Sequence, residues 1–517
     1  MCQVVTKKEK VILMGLLIIL NLIMRIPSIP HEKGFDSFFI HSLANSVSNF
    51  GYANWWLHWS SVIGSYPYSY ASAVPFLISG ISQISGLIGI EMEYAILLFS
   101  LALGIFSIFS SFILAGMLTN KFMFKYFVAL LFSLSQGILV FTTWEPSSRG
   151  PFMIFLPFAL FLLLKNTFVI TKKTVLLIII LAFLASIHHY FVFMFAFLGI
   201  YIFLKVVSLK FTYIHKKIDE SHINYVFLSV FLIMILLPFF TRFMIDSGSR
   251  YGWIIDAFVV SSRYLGPAIF LSISGIIYMI FKINKTVNEW YMMLVALVLF
   301  PFIYNITYGI YIILLFAVIF AATALNNVFN AMRKSRILNL SFIFLILSIV
   351  IFSSFYNHYH TGRYSDTWYM KESTYELSEW AYNYIPENSH GFGYGYEIPR
   401  LFATSNGHPV IPRGGALDMT NSFIDASSLE IVKVSPTSKY FYFEGFYMDQ
   451  NNVNIPGTVN WILENSIDYK GVVPILDRYD FSYFFMAEYY NSGIGASSIR
   501  STKDSFYDNG VVSIWLI

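Results

Sequence analysis

Over its first 356 residues the chain alternates long apolar runs with short basic loops. A helix needs about 20 apolar residues to cross a bilayer. Suitable runs lie near 11–29, 94–118, 124–142, 151–165, 174–189, 191–209, 224–244, 264–281, 289–304, 308–326 and 337–356. The pattern therefore predicts about eleven transmembrane helices. The Ser/Gly-rich stretch 72–90 (SAVPFLISGISQISGLIGI) reads either as a twelfth span or as an interfacial helix. Charge decides between them, because Lys and Arg accumulate in cytoplasmic loops. If 72–90 does not cross, the segments 1–10, 119–125, 165–173, 205–223, 282–288 and 329–336 share one side and hold 17 Lys/Arg. The opposite loops then hold only Lys33, Arg149, Arg250 and Arg263, with Arg25 and Arg242 at helix ends. Residues 72–90 are accordingly placed on or partly in the outer leaflet, with the N-terminus cytoplasmic and the C-terminus outside. Residues 11–29 are not read as a cleaved signal peptide, since no small-residue cleavage site follows and further spans come after.

Near residue 357 the pattern changes. Residues 357–517 carry 10 Lys/Arg and 18 Asp/Glu, and no run in them is long enough to span. Glu372–Tyr382 reads as a helix ending near Pro386. The alternating stretches Ser482–Tyr490 and Val511–Ile517 read as strands, with Asp508-Asn509-Gly510 as the hairpin turn between the last two strands. The fold class is a polytopic α-helical membrane protein with a long first outer loop (1–356), followed by a soluble extracytoplasmic α/β domain (357–517). Composition agrees: 57% of residues are hydrophobic and only 12% charged, about half the charge of a soluble domain. The lone Cys2 excludes an intramolecular disulfide framework and a cysteine metal site. The net charge of +4 sits in loops rather than on one stripe, which argues against nucleic acid.

Carboxylates are scarce in the apolar part: eleven precede residue 357, of which Glu32, Asp36, Glu91, Glu93, Glu145, Asp246 and Asp256 fall on the outer face. Asp36 lies in a first outer loop of about 60 residues, and long loops on compact bundles are usually functional. It is either the N-cap of a helix over 37–50 that stops at Gly51, or a working carboxylate, and the two roles are compatible. The aromatic connector Trp55–Tyr70 reads as an interfacial belt. In the second outer loop, Thr142–Gly150, Glu145 and Arg149 form either a solvated turn or a site in which Glu145 meets Asp36 and Arg149 pairs a lipid phosphate. At a third corner His188 and His189 are either interfacial or a donor to phosphate or metal. Arg25, Arg242 and Arg263 read as snorkelling cations or substrate contacts.

The stretch Gly34-Phe35-Asp36-Ser37-Phe38-Phe39-Ile40-His41, ending at Asn49-Phe50-Gly51, resembles the first-loop motif of the oligosaccharyltransferase catalytic subunits, within the GT-C membrane glycosyltransferases. Tyr66-Pro67-Tyr68, Glu145, Ser186–Phe193 and a C-terminal domain after the last span fit the same order of elements. The chain departs from that family at Ser147, where a second acidic residue is usual. It also departs at His390–Tyr396, which keeps Tyr-Gly-Tyr but lacks Trp-Trp-Asp, and over Tyr304–Tyr311, which lacks the late arginine. The resemblance implies an inverting glycosyltransferase that takes a sugar or glycan from a polyprenyl (pyro)phosphate to a protein, glycan or lipid acceptor on the outer face. Asp36 and Glu145 become the catalytic and metal-binding candidates, with Mg²⁺ or Mn²⁺ suited to their hard oxygens. Arg149, His188, His189, His41, Arg263 and Tyr394 become substrate-binding candidates. The rival reading is a transporter or a lipid or glycan flippase, which calls for charged or broken-helix features at mid-membrane. A non-catalytic scaffold ranks behind it.

Overall fold

The computed structural model describes residues 5–517 except 52–72, 167–170, 215–219, 242–251, 305–308, 332–335, 361–368, 386–389, 394–396, 405–409, 413–464, 471, 474–475, 478–480 and 488–493. Every apolar run identified in the sequence carries helix. Helix α1 (Lys7–Ile23) starts at a capping box between Thr6 and Glu9 and stops ahead of Pro27 and Pro30. Helix α2 (Phe35–Phe50) ends on Gly51, whose φ of 80° and N–H bond to Val47 form a left-handed stop at the glycine expected from sequence. Then come α3 (Ala73–Ser85), a 3₁₀ turn at Gly89–Glu91, and α4 (Met92–Ala115). The stretch 72–90 is thus a 13-residue helix followed by a turn; at 1.5 Å per residue it is about 20 Å long, short of the apolar thickness of a bilayer.

The run read as 124–142 is not one helix. It divides into α5 (Phe122–Ser133) and α6 (Gln136–Leu139). Arg25 supplies the reason. Its guanidinium is buried, and Nη2 donates to the Ser133 carbonyl at 2.9 Å, a group that the interrupted helix leaves available. Nε donates to Thr142 Oγ1 at 2.9 Å and Nη1 to Asn21 Oδ1 at 2.6 Å. Arg25 therefore does not snorkel; neutral oxygens hold it inside the bundle.

The remaining apolar helices are α7 (Arg149–Leu164), α8 (Lys172–Ile187), α9 (Val192–Ile214), α10 (Glu220–Thr241), α11 (Gly252–Leu265), α12 (Ala268–Phe281), α13 (Val287–Leu299), α14 (Gly309–Ala331) and α15 (Arg336–His360). Gly266, at φ +60°, and Pro267 separate α11 from α12 inside the run read as 264–281. Glycine also sets how closely helices approach: a Cβ at Gly275 of α12 would lie 1.8 Å from the Phe320 carbonyl of α14. Among the described residues, Gly89–Ala115, Gly309–Ala331 and Ser341–His360 are long and apolar enough to cross a membrane, and seven shorter helices are apolar.

The C-terminal part holds α16 (Glu372–Tyr384), β1 (His390–Gly393), α17 (Glu397–Thr404), β2 (Val410–Pro412), β3 (Phe481–Ala487), α18 (Ile494–Thr502), β4 (Ser505–Asp508) and β5 (Val512–Leu516). The sheet order is β2-β1-β3-β5-β4, with β1 parallel to β2 and β3 and the last pairs antiparallel. The turn at Asp508–Gly510 is where the sequence predicted it. It joins β5 to Ser505–Asp508, a strand too short and polar to stand out, because α18 separates β3 from the hairpin. Leu377, Leu401, Phe485 and Ile514 form the core under this sheet.

This part is fastened to the start of α2. Met370 N–H donates to the Glu32 carbonyl at 2.9 Å, Lys33 bridges Tyr369, and Asn45 of α2 donates to the Ala403 carbonyl of α17 at 3.0 Å. His31 lies between the two parts. Nδ1 faces Glu93 at 3.2 Å, Nε2 faces Glu372 at 3.2 Å, and the ring stacks on Tyr375 at 3.8 Å. Burial disfavours its charge, but both ring nitrogens meet carboxylates, and these hold its pKa above the ordinary value.

Two outcomes follow. A Cβ at Gly104 would fall 2.2 Å from Arg25 Nε, so Gly104→Ala is expected to destabilise the protein by about 1–3 kcal/mol through overpacking; thermal unfolding in detergent measures it. Since the His31 pKa is raised on folding, its contribution is complete below the ordinary histidine value and is lost as pH rises through the raised one. Protease resistance of the α16 attachment should therefore fall across neutral to mildly alkaline pH. His31→Phe, which keeps the stacking on Tyr375, should remove that pH dependence.

Candidate active site

The site forms where α2 begins. Gly34 caps the helix at φ +97°, with no side-chain cap, so Asp36 is not the N-cap: it stands inside the first turn. A Cβ at Gly34 would lie 2.6 Å from Glu145 Cγ. The backbone at Gly34 therefore lies directly against the Glu145 side chain, which brings the loop before α7 to the base of α2. There the Ser147 hydroxyl donates to Asp36 Oδ2 at 3.0 Å and Arg149 Nη1 stands 3.5 Å from the same oxygen. The Asp36 and Arg149 side chains are each 23% exposed, so the pair is reachable from solvent rather than sealed in the interior.

The loop from Thr142 to Ser148 is buried, unlike a solvated turn. It is pinned residue by residue. Arg25 donates to Thr142 at 2.9 Å, and His358 of α15 lies 3.3 Å from the Thr143 hydroxyl. The Trp144 carbonyl accepts from Lys33 N–H at 3.1 Å and from the Ser37 hydroxyl at 3.4 Å. Glu145 is buried near Lys33, which is also buried; desolvation lowers the Lys33 pKa and the Glu145 charge opposes that shift. Each of the two carboxylates at this site thus has a cation close by, as a low-dielectric setting demands.

The structure brings together Asp36, Glu145 and Arg149, three of the residues singled out from sequence. His188 lies against Phe152, one turn along α7 from Arg149; it accepts the Tyr190 N–H on Nδ1 at 3.1 Å and packs on the Tyr190 ring at 4.1 Å. His189 opens the 3₁₀ turn His189–Phe191. Arg263 is exposed in the last turn of α11, 6.0 Å from the Tyr264 ring, and the Tyr264 hydroxyl is 2.7 Å from that of Tyr311. His41 is buried away from solvent: Nδ1 meets Glu32 at 2.5 Å and Nε2 meets the Gly89 carbonyl at 3.2 Å. Burial opposes its charge, yet Glu32 and the Gly89 carbonyl outweigh this and raise its pKa. Tyr394 and the connector Trp55–Tyr70 lie outside the described residues.

Sequence reasoning missed Ser147, Glu32, Lys33 and His358 as parts of this assembly. For Glu32 a signal existed: Ser37 and His41 are four apart on α2 and so share a face that one preceding acid can reach. Ser147 stood out only as a departure from an acidic pattern, because its role depends on a contact 111 residues away.

Among the described residues no group of three or more His, Cys, Asp or Glu side chains gathers as a metal cage. Two carboxylates from separate elements are, however, what Mg²⁺-type sites use when phosphate oxygens and water complete the shell. Asp36 and Glu145 are hard oxygen donors of the kind such an ion takes.

No protein-family model matches the sequence, and no curated protein matches it by sequence. Solved structures do match by fold. AglB, the archaeal oligosaccharyltransferase from Archaeoglobus fulgidus, in complex with an inhibitory peptide and a dolichol-phosphate, superposes with TM-score 0.58 at 12% identity, over 92% of this chain and 69% of AglB. An Archaeoglobus fulgidus oligosaccharyltransferase in complex with Zn and sulfate gives 0.58 at 14% identity, over 97% of this chain and 72% of the other. ArnT from Cupriavidus metallidurans bound to undecaprenyl phosphate gives 0.53 at 9% identity, over 98% and 97%. By its arrangement of apolar helices and C-terminal sheet, the chain shares the fold of AglB and ArnT.

Proposed function

We propose that this protein is a membrane glycosyltransferase that moves a sugar or glycan from a polyprenyl (pyro)phosphate donor to a protein, glycan or lipid acceptor on the outer face of the membrane. The observation that carries the reading is the Asp36 carboxylate, held by Ser147 and Arg149 within reach of solvent in a GT-C fold. AglB and ArnT, which share that fold, were solved with dolichol-phosphate and undecaprenyl phosphate respectively. The basic loops support an orientation with the N-terminus cytoplasmic, residues 357–517 outside as a second domain, and the bundle crossing about eleven times.

In the proposed reaction Asp36 accepts the proton of the acceptor nucleophile, or aligns it. The nucleophile attacks the anomeric carbon from the face opposite the phosphate. The carbon–oxygen bond to phosphate breaks, the bonding pair leaves on that oxygen, and the centre inverts. Arg149 stands where a planar fork donor can meet the charge that builds on the leaving group. Glu145 is the second carboxylate, buried two residues before Ser147. Asp36 and Glu145 would hold Mg²⁺ or Mn²⁺; such an ion supplies Lewis-acid stabilisation of phosphate charge. His188 beside Phe152 of α7 and Arg263 in the last turn of α11 are the proposed contacts for a polyprenyl phosphate head, with His189 and Tyr394 as further substrate-binding candidates from sequence.

Asp36→Asn is expected to lower transfer by at least about 100-fold, the usual scale for loss of a catalytic carboxylate. Its thermal stability should stay near wild type, because the Asp36–Arg149 pair is part-exposed and worth about 1 kcal/mol or less. The measurement is label moving from radiolabelled polyprenyl-phosphate sugars to membrane acceptors in proteoliposomes. Near-normal turnover in the variant removes Asp36 from the mechanism. In the same assay EDTA should abolish transfer and added Mg²⁺ or Mn²⁺ should restore it; full activity in EDTA removes the cation.

A further inference from the structure

Glu32 lies four residues before Asp36 and is fully buried. One carboxylate oxygen accepts from the Ser37 hydroxyl at 2.6 Å and the other meets His41 Nδ1 at 2.5 Å. Its backbone carbonyl accepts from Met370 N–H at 2.9 Å. Each of these partners leads to a piece of the candidate site. Ser37 is the neighbour of Asp36, and its hydroxyl also reaches the carbonyl of Trp144, next to Glu145. His41 lies one turn further along α2, and its other nitrogen reaches the Gly89 carbonyl just before α4. Because both nitrogens of His41 face oxygen acceptors, the ring carries both protons, and Glu32 balances that charge.

A buried ion pair of this kind is weak evidence for stability, since an apolar pair of similar shape often serves as well. What the pair does here is geometric. It fixes the rotation of the first turn of α2 about its axis, and hence the direction in which Asp36 leaves it. Gly34 on one side admits many backbone conformations and cannot fix that rotation alone.

We propose that Glu32 and His41 are positioning residues for the transfer reaction, holding the first turn of α2 so that Asp36 meets Ser147 and Arg149. The proposal rests on the reading of Asp36 as the working carboxylate. It also turns His41 from a substrate contact into a residue acting through the helix.

The test uses the full chain in proteoliposomes. Glu32→Ala should lower kcat about 30-fold with donor and acceptor KM within about twofold, the pattern of a misaimed group. Glu32→Gln can keep both contacts, its carbonyl oxygen accepting from His41 and its amide donating to a rotated Ser37 hydroxyl; it should recover kcat to within about threefold of wild type. Ser37→Ala, a milder change should Glu32→Ala not fold, should lower kcat about fivefold at unchanged KM. Backbone hydrogen exchange over Ser37–His41 should quicken about tenfold in Glu32→Ala while α4 and α7 stay protected. Wild-type kcat in folded Glu32→Ala, or in Ser37→Ala when only that variant folds, overturns the proposal, and so does unchanged exchange. If the wild-type protein transfers no sugar, the functional reading fails by itself, and the exchange result still decides whether Glu32 holds the helix.

Discussion

The Cβ missing at Gly34 is the constraint on which the rest of the site depends. The chain reaches this residue from a strand-like segment tied to Tyr369 and Met370, and must turn at once into α2. At φ +97° an ordinary residue is strained, and a side chain there would collide with Glu145. Only a glycine lets the loop before α7 close on the base of α2. That closure places Ser147 and Arg149 on Asp36. A bulkier residue would displace Glu145 by direct contact and carry the loop before α7 away from Asp36.

The second organising force is the demand that charge be matched wherever water is scarce. The described part of the bundle answers it differently by depth. Arg25, inside, is satisfied by neutral oxygens from Asn21, Ser133 and Thr142, so it adds no carboxylate to the interior and interrupts α5 instead. Near the start of α2, cations and carboxylates come together: His41 with Glu32, His31 with Glu93 and Glu372, Arg149 with Asp36. Only the last of these pairs has both side chains partly exposed. A carboxylate that is paired yet reachable can exchange its partner for a ligand; one paired and sealed, as Glu32 is, can only hold geometry.

Apolar periodicity made the bundle legible, because a helix facing lipid must be apolar over its length whatever its neighbours. The short interruptions were not legible. The break at Leu134–Ser135 depends on Arg25, over a hundred residues earlier, and that at Gly266–Pro267 is hidden by apolar residues on both sides. Asp36, Glu145 and Arg149 stood out because charge is rare on this chain. Ser147 was visible only as a departure, since serine is common and its value comes from a long-range contact. The carboxylate Glu32 was counted on the outer face, but only the fold reveals that both its oxygens are already occupied. The expected cap role of Asp36 failed for a local reason: Gly34 starts the helix two residues earlier than the acid would.

The fastening of the C-terminal part bears on the chemistry as well. It meets the bundle at residues 31–33, the same segment that leads into Gly34 and Asp36. A displacement of α16 relative to α4 would pull on His31 and on the Glu32 carbonyl together, and the Glu32 carboxylate would carry that movement into the first turn of α2. Any acceptor held by the C-terminal part is therefore coupled through a few hydrogen bonds and a short stretch of chain to the carboxylate proposed to activate it. Precise alignment of two reactants is worth many kilocalories per mole in a transfer reaction. A route this short, made of hydrogen bonds that converge on residues 31–37, is a means by which the fold can keep that alignment.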